Sequence, residues 1–346
     1  MPRILIVAPN WIGDALMAQP LLARLRAKLP HAHLDVLAPA WVSPVLRRMP
    51  EVNEVIESPW GRGGLALGAR WRLGRMLRAR GYDQAMVLPN TWKSALAPFF
   101  ADIAVRSGYV GESRYGLLNL LYRSPGDKRQ REPMARHYAR LAEPPGSDPR
   151  EPLPGPRLRL DAAAAALTAR RFGFGEAPRR NAIFCPGAEY GPAKRWPAEH
   201  YAALAKALAA QGIDVWLLGS ASDAPVCDAV AQAAAGAVRS LAGRTTLDDA
   251  IELIGRADFV VSNDSGLMHV AAALERPQVA LFGSSSPAHT PPLSQRARAL
   301  WLGIECSPCF ARECPLGHFR CMRELLPARV LAELGELGVL PSTPVT

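Results

Sequence analysis

Apolar residues along this 346-residue chain fall in short, nearly unbroken runs separated by longer segments of helical spacing. In the first half, RILIVAP, HLDVLAP, VNEVIES, QAMVLP and VRSGYVG read as strands, rich in aliphatic and β-branched residues. Between them, LLARLRAKL, PVLRRM, ARWRLGRMLRAR and KSALAPFFA repeat apolar positions three and four apart, the period of a helix with one buried face. Unbroken apolar strands alternating with helices predict a parallel sheet covered on both sides.

The pattern lapses between residues 124 and 160, where EPPGSDPREPLPGP places six prolines in fourteen positions. Neither a helix nor an interior strand accepts that density of missing donors. A boundary is expected there, giving domains 1–155 and 156–346, with the helix ARHYARLA kept in the first. The alternation then restarts. NAIFCPG, IDVWLLGS, AVRSLAG, DFVVS and PQVALFG read as strands, and DAPVCDAVAQAAAG and LDDAIELIGRA as helices. RWPAEHYAALAKALAAQG is a further helix, begun by Pro197 and stopped by Gly212. The expected fold class is α/β, two Rossmann-like doubly wound domains facing across a cleft, with ligands outside the carboxyl ends of the strands.

Composition narrows the class of function. Hydrophobic residues make up 49% and charged residues 21%, a globular balance. No apolar run approaches the roughly 18 residues of a membrane span. The start, MPRILIVAPNW, reads as a first strand rather than a signal peptide, so a cytoplasmic chain is expected. Net charge is +10, and 36 of the 41 basic residues are Arg. A coding bias that replaces Lys by Arg accounts for the Arg-rich composition; the charge itself favours acidic partners such as phosphates, acidic sugars or an anionic membrane surface. The Arg residues are scattered, with no basic stripe interleaved with aromatics, so nucleic acid is not expected as a partner.

Four stretches carry candidate chemistry, the first three at strand ends. In APNWIGDALM, Gly13-Asp14 follows the first strand; Asp14 is either a helix cap or a general base. In CPGAEYGPAKRWP, Lys194 and Arg195 stand just before a helix whose amino end is already positive, so a surface role gains nothing from them and an anion site does. In SNDSGLMHVAAAL, Leu267, Val270, Ala271 and Leu274 mark a buried helix face, and Asp264 stands where a cap belongs. Gly266 in that first turn costs roughly 1 kcal/mol against Ala, which makes sense if a ligand approaches the backbone. His269, one turn further, is either a buried structural histidine or a ligand contact. In CSPCFARECPLGHFRC, Cys306, Cys309, Cys314 and Cys321 read as a structural zinc site, as loose thiols or as a conditional disulfide.

Taken together, GDALMAQPLL, MPEVNEVIESPWGRGGL, VLPNTWKSALAPFFA, RYGLLN, CPGAEYGPAKRWP and NDSGLMHVAAAL resemble, in order, segments of the ADP-heptose:lipopolysaccharide heptosyltransferases. These are inverting glycosyltransferases of the GT-B fold, and the wording of the last two segments resembles the branch that adds the second inner-core heptose. The resemblance implies Asp14 as catalytic base and Lys194 as a donor-diphosphate contact that aids departure of ADP. It further implies donor binding by Gly13, Asp223, Asp264, Ser265, Gly266 and His269. It implies a phosphorylated Kdo-lipid A acceptor already bearing one heptose, for which Arg62, Lys93, Arg106, Arg114 and Arg123 are the expected contacts. The implied enzyme needs no cofactor for catalysis, touches the inner membrane surface at its cytoplasmic face, and draws its heptose from ADP-heptose. Rival readings are a type I enzyme using an acceptor without heptose, a transferase for an outer-core sugar, a nucleotide-sugar sensor without turnover, and a basic nucleic-acid-binding protein.

Overall fold

The computed structural model describes residues 1–61, 63–124, 131–175 and 179–340. Contacts divide the chain into two compact units, Met1–Pro156 and Arg157–Thr346.

Six parallel strands build the sheet of the first unit among the described residues: β1 (Arg3–Val7), β2 (His33–Ala38), β3 (Glu54–Glu57), β4 (Gln84–Val87), β5 (Val105–Tyr109) and β6 (Leu120–Tyr122). Their order is β3-β2-β1-β4-β5-β6. Sequence succession reverses between β1 and β4, which pair in register from Ile4 with Gln84 to Val7 with Val87. Around this sheet lie α1 (Ile12–Met17), α2 (Gln19–Lys28), α3 (Ser43–Arg47), α4 (Leu67–Arg78), α5 (Leu96–Phe100) and α6 (Met134–Ala139). Leu5, Val7, Leu37, Leu77, Ala85, Val87, Ile103 and Leu118 form one buried cluster.

The second unit repeats the plan. Its strands are β7 (Arg180–Cys185), β8 (Ile213–Leu217), β9 (Val238–Ser240), β10 (Phe259–Asn263), β11 (Gln278–Phe282) and β12 (Ala297–Trp301). Their order, β12-β11-β10-β7-β8-β9, is the same doubly wound order, and the reversal falls between β7 and β10. These two pair from Ala182 with Phe259 to Cys185 with Ser262. The helices are α7 (Ala162–Phe172), α8 (Ala198–Ala209), α9 (Ala224–Ala234), α10 (Leu247–Arg256), α11 (Gly266–Ala273), α12 (Arg320–Arg323) and α13 (Pro327–Glu336). Local chemistry sets their ends. Asp161 accepts from the backbone N–H groups of Ala163 and Ala164 at the start of α7, and Gly173 closes it with φ 68°. Thr246 and Asp249 cap α10 reciprocally.

Sequence patterning missed β6, β12, α7 and α13. The two strands flank their sheets, pair on one side and are buried at only one position each, so they lack the unbroken apolar runs of the central strands.

Candidate active site

In a doubly wound sheet the reversal point leaves a crevice outside the carboxyl ends of two neighbouring strands. In the second unit those ends belong to β7 and β10, and the two candidate loops leave from them. The loop after β7 folds through a short 3-10 turn, Pro192–Lys194. There Lys194 Nζ meets Asp264 Oδ2, at the end of β10, at 2.6 Å. The lysine side chain is 17% exposed and the aspartate 4%. The ammonium also lies 5.1 Å from the centre of the Tyr190 ring, and Thr290 Oγ1, after β11, donates to the same Asp264 oxygen at 3.4 Å.

Beneath this pair, His269 is buried in α11. Burial pushes its imidazole down to about 4; the Asp264 carboxylate opposes the shift and the Lys194 ammonium adds to it. The ring is therefore neutral near pH 7. Asn263 is the joint that fixes both loops. Its Oδ1 accepts from Trp196 N (3.1 Å) and Tyr201 OH (3.0 Å), and its Nδ2 donates to Pro186 O (2.7 Å).

One sequence expectation is corrected here. Asp264 does not cap α11: Ser265 holds that position, no side chain caps the helix among the described residues, and the Asp264 carboxylate turns to Lys194 instead. The first-turn N–H groups near Ser265 and Gly266 thus lack a side-chain acceptor, the condition for binding an anion. Asp223 approaches the same region from the end of β8. Its carboxylate accepts from Ser220 N and Oγ, packs against the Gly187 backbone, and leaves Oδ1 buried without a partner among the described residues.

In the first unit, Asp14 lies in the first turn of α1, which follows β1, and Trp11 rather than Asp14 is the N-cap. Gly13 and Asp14 are half-buried. The Asp14 charge reaches Tyr138 of α6: burial first, and that carboxylate next, push the buried phenol well above its ordinary range.

The cationic acceptor candidates separate. Arg114 is 1% exposed. Its guanidinium donates to Tyr109 O, Pro89 O, Thr91 O and Asn90 Oδ1, which occupies the whole fork. It pins the loop after β4 and is withdrawn as an acceptor contact. Arg106 is corrected on the same ground, since it donates to Leu117 O, Ile103 O and Gly116 O. Lys93 borders an open cavity and donates to Gly63 O at 2.9 Å. Arg123 is exposed just past β6. Arg62 lies outside the described residues.

The four clustered cysteines are free thiols around a small cavity of about 40 Å³ that Ser284 and His318 also border. Burial pushes the Cys321 thiol up to about 11, its three cysteine neighbours adding to that. For Cys314 burial acts upward, but backbone hydrogen bonds from Phe319, Leu316, His318 and Gly317 outweigh it and hold the thiol below its ordinary value. Among the described residues no three His, Cys, Asp or Glu side chains stand close enough together to hold a metal ion. What the segment does is brace the Lys194 loop: Tyr190 OH donates to Phe310 O, Arg312 Nε donates to Tyr190 O, and Ala193 N donates to Arg312 O.

Residues 70–320 match Glycosyltransferase family 9 (heptosyltransferase). The chain is 45% identical over 344 residues to lipopolysaccharide heptosyltransferase 2 of Escherichia coli (strain K12), covering 97% of this chain and 98% of that protein. It is 44% identical to lipooligosaccharide heptosyltransferase 2 of Haemophilus influenzae, covering 97% and 99%. The chain belongs to glycosyltransferase family 9, the heptosyltransferases. The solved structure of E. coli ADP-heptose LPS heptosyltransferase II matches with a TM-score of 0.85 at 44% identity, over 97% of this chain and 98% of that one. The protein is thus a glycosyltransferase of the GT-B fold class, built from two Rossmann-like domains.

Members of the site that sequence reading missed are Thr290, Asn263, Tyr190 and Tyr138. For Thr290 a signal existed, because PAHT follows a strand end and every such loop of a parallel sheet borders the ligand crevice. Tyr138 carried no such signal, since only the packing of α6 against α1 brings it near Asp14.

Proposed function

We propose that this heptosyltransferase moves L-glycero-D-manno-heptose from ADP-heptose to the first heptose of a Kdo-lipid A inner core, with inversion and without a metal. The observation that carries the proposal is the Lys194–Asp264 pair at the β7/β10 reversal, beside the uncapped start of α11. The second unit (156–346) binds the donor and the first (1–155) the acceptor. The acceptor hydroxyl attacks the anomeric carbon as the bond from that carbon to the ADP oxygen breaks. Asp14 takes the hydroxyl proton, and charge on the sugar passes through an oxocarbenium-like centre. The charge growing on the diphosphate meets Lys194 and the backbone N–H groups of Ser265 and Gly266. Lys194 has three donors, so its contact with Asp264 leaves others for phosphate. Asp264 faces the donor sugar, neutral His269 feels the charges of the pair without adding one, and the buried Oδ1 of Asp223 serves a ribose hydroxyl.

The relatives at 44 to 45% identity, lipopolysaccharide heptosyltransferase 2 and lipooligosaccharide heptosyltransferase 2, support this acceptor. No Asp-x-Asp pair of the kind that holds a metal-diphosphate occurs in the sequence. A structural zinc at Cys306, Cys309, Cys314 and Cys321 rests on their spacing alone and takes no part in the reaction. The enzyme works at the cytoplasmic face of the inner membrane. No helix among the described residues is long and apolar enough to cross a membrane, and α4 instead turns Trp71, Arg72, Arg75 and Met76 outward on one face.

The test is a mass-spectrometric transfer assay without divalent metal, offering ADP-heptose with Kdo-lipid A acceptors bearing zero or one heptose. The expected result is gain of one heptose on the acceptor that already has one. Gain on the bare Kdo acceptor instead would reassign the enzyme to the type I reaction. Asp14→Asn is expected to abolish turnover while ADP still binds; near-normal turnover would remove Asp14 from its role.

A further inference from the structure

The pairing between β7 and β10 ends at Cys185 and Ser262. The residue after β7 is Pro186, which has no N–H and cannot continue the ladder. On β10 the next residue is Asn263, and its side chain takes over: Nδ2 donates to Pro186 O at 2.7 Å. Its Oδ1 accepts from Trp196 N at 3.1 Å and from Tyr201 OH at 3.0 Å. Two donors meet the oxygen and a carbonyl meets the nitrogen, so only one orientation of the amide satisfies all three partners. Asn263 and Tyr201 are fully buried and Trp196 is 1% exposed, so water cannot replace any of these bonds. Burial pushes the Tyr201 phenol well above its ordinary range, which keeps it a donor.

Asn263 immediately precedes Asp264, and Trp196 is the second residue after Lys194. The bond from Trp196 N to Asn263 Oδ1 therefore runs alongside the Lys194–Asp264 ion pair and ties the same two segments together. Both segments are also held on their far sides. Asp264 N donates to Leu281 O at 3.1 Å, which fixes it on β11. Trp196 Nε1 donates to Leu325 O at 2.7 Å, and its ring meets that of Tyr201 edge to face, 4.8 Å between centres. A lysine ammonium is a point charge on a flexible stem, so its contact with one carboxylate does not fix where it stands. The backbone that carries it does. We propose that Asn263, completed by Tyr201, is a positioning residue for heptose transfer: it sets the spacing of the Lys194 and Asp264 segments, and through it the point at which the ammonium meets the leaving diphosphate. The inference rests on the assignment of Lys194 to that diphosphate. It gives a buried polar group a part in the reaction that its own surroundings, closed to substrate, do not announce.

The experiment is a double-mutant cycle in the full-length enzyme, with Asn263→Ala, Lys194→Ala and the two combined. ADP affinity is measured by calorimetry, and transfer by kcat and the KM of each substrate. Asn263→Ala is expected to lower kcat/KM for ADP-heptose by roughly 10- to 100-fold, the scale of a displacement of about 1 Å near the chemistry, with the acceptor KM unchanged. In the Lys194→Ala background the same substitution is expected to change kcat/KM and ADP affinity by no more than about twofold, because the group it positions is gone. ADP affinity alone closes the cycle if Lys194→Ala turns over too slowly to measure. Tyr201→Phe keeps the ring and removes one donor from Oδ1; it is expected to lose less, in the same direction, and it runs the same cycle if Asn263→Ala does not fold. Leu334→Ala, at a buried core position of α13, is the control for stability and is expected to lower the urea midpoint without changing kcat/KM for ADP-heptose. Losses of equal size with and without Lys194 overturn the inference, as does an unchanged kcat/KM in both Asn263→Ala and Tyr201→Phe. A loss that Leu334→Ala reproduces overturns it too, since destabilisation would then account for the effect. Lys194→Ala with unchanged ADP affinity and rate would instead sink the assignment of Lys194 itself, which separates the two failures.

Discussion

His269 shows how one side chain ties the surroundings of the Lys194–Asp264 pair to stability. The unfolded chain takes up a proton near the ordinary value of 6.5, whereas the folded protein resists until about 4. Its contribution is therefore fully present above the upper value and is lost as pH falls toward the lower. That loss amounts to about 1.4 kcal/mol per pH unit, or about 2 kcal/mol between pH ~6.5 and pH ~5. Urea unfolding of the wild type and of His269→Gln at those two pH values is expected to show a weaker pH dependence in the variant by that amount. An equal dependence in both would mean that the histidine is not held neutral. Arg114 teaches the opposite lesson at the same scale. A sequence reading assigns a loop arginine to substrate, but this one is buried and hydrogen-bonded to the chain itself. Burial lowers its pKa although the Glu112 carboxylate opposes the shift, and carbonyl dipoles replace the water it has lost.

At the scale of elements, the loop after β7 depends on the cysteine-rich segment that follows β12. A Cβ on Gly191 would stand 2.3 Å from Arg312 O, and the same carbonyl accepts from Ala193 N at 3.0 Å. Gly191→Ala must therefore push the two segments apart, at a cost of about 1 to 3 kcal/mol for forcing atoms into a filled space. The expected outcome is a lower denaturation midpoint together with a higher KM for ADP-heptose, because Lys194 rides on the displaced turn. Gly335→Ala in α13, where no atom lies within 4 Å of the added carbon, serves as the contrast and is expected to be neutral or stabilising. A Gly191→Ala enzyme with unchanged donor KM would show that the brace does not set the position of Lys194.

For the whole molecule, the charge of +10 bears on the proposed lipid-anchored acceptor, because basic charge is drawn to an anionic membrane surface. The outward face of α4 combines exposed Trp71 and Met76 with Arg72 and Arg75, the make-up of a helix that lies along a membrane surface. The enzyme is expected to sediment with anionic vesicles at about 0.01 M salt and to leave them near 1 M, where the screening length falls to about 3 Å. Trp71→Glu is expected to weaken the association without changing transfer to a lipid-free acceptor. Retention that ignores both salt and this substitution would place any membrane contact elsewhere.

The sequence by itself determined the two α/β halves and their central strands, because a strand buried on both faces must be apolar at almost every position. It also marked the loops that leave β1, β7 and β10, where glycine, proline and charge replace that pattern. Only the tertiary structure decided partnership. Lys194 and Asp264 are 70 positions apart, and they meet because β10 lies beside β7 rather than beside β9. Asp264 had two options, the nearby helix start and an ammonium distant in sequence, and the 2.6 Å ion pair took the carboxylate, leaving Ser265 at the N-cap position with no side chain capping the helix. The edge strands β6 and β12 and the burial of Arg114 were illegible for the same reason. Each depends on which neighbour covers a residue, and chain order does not record that.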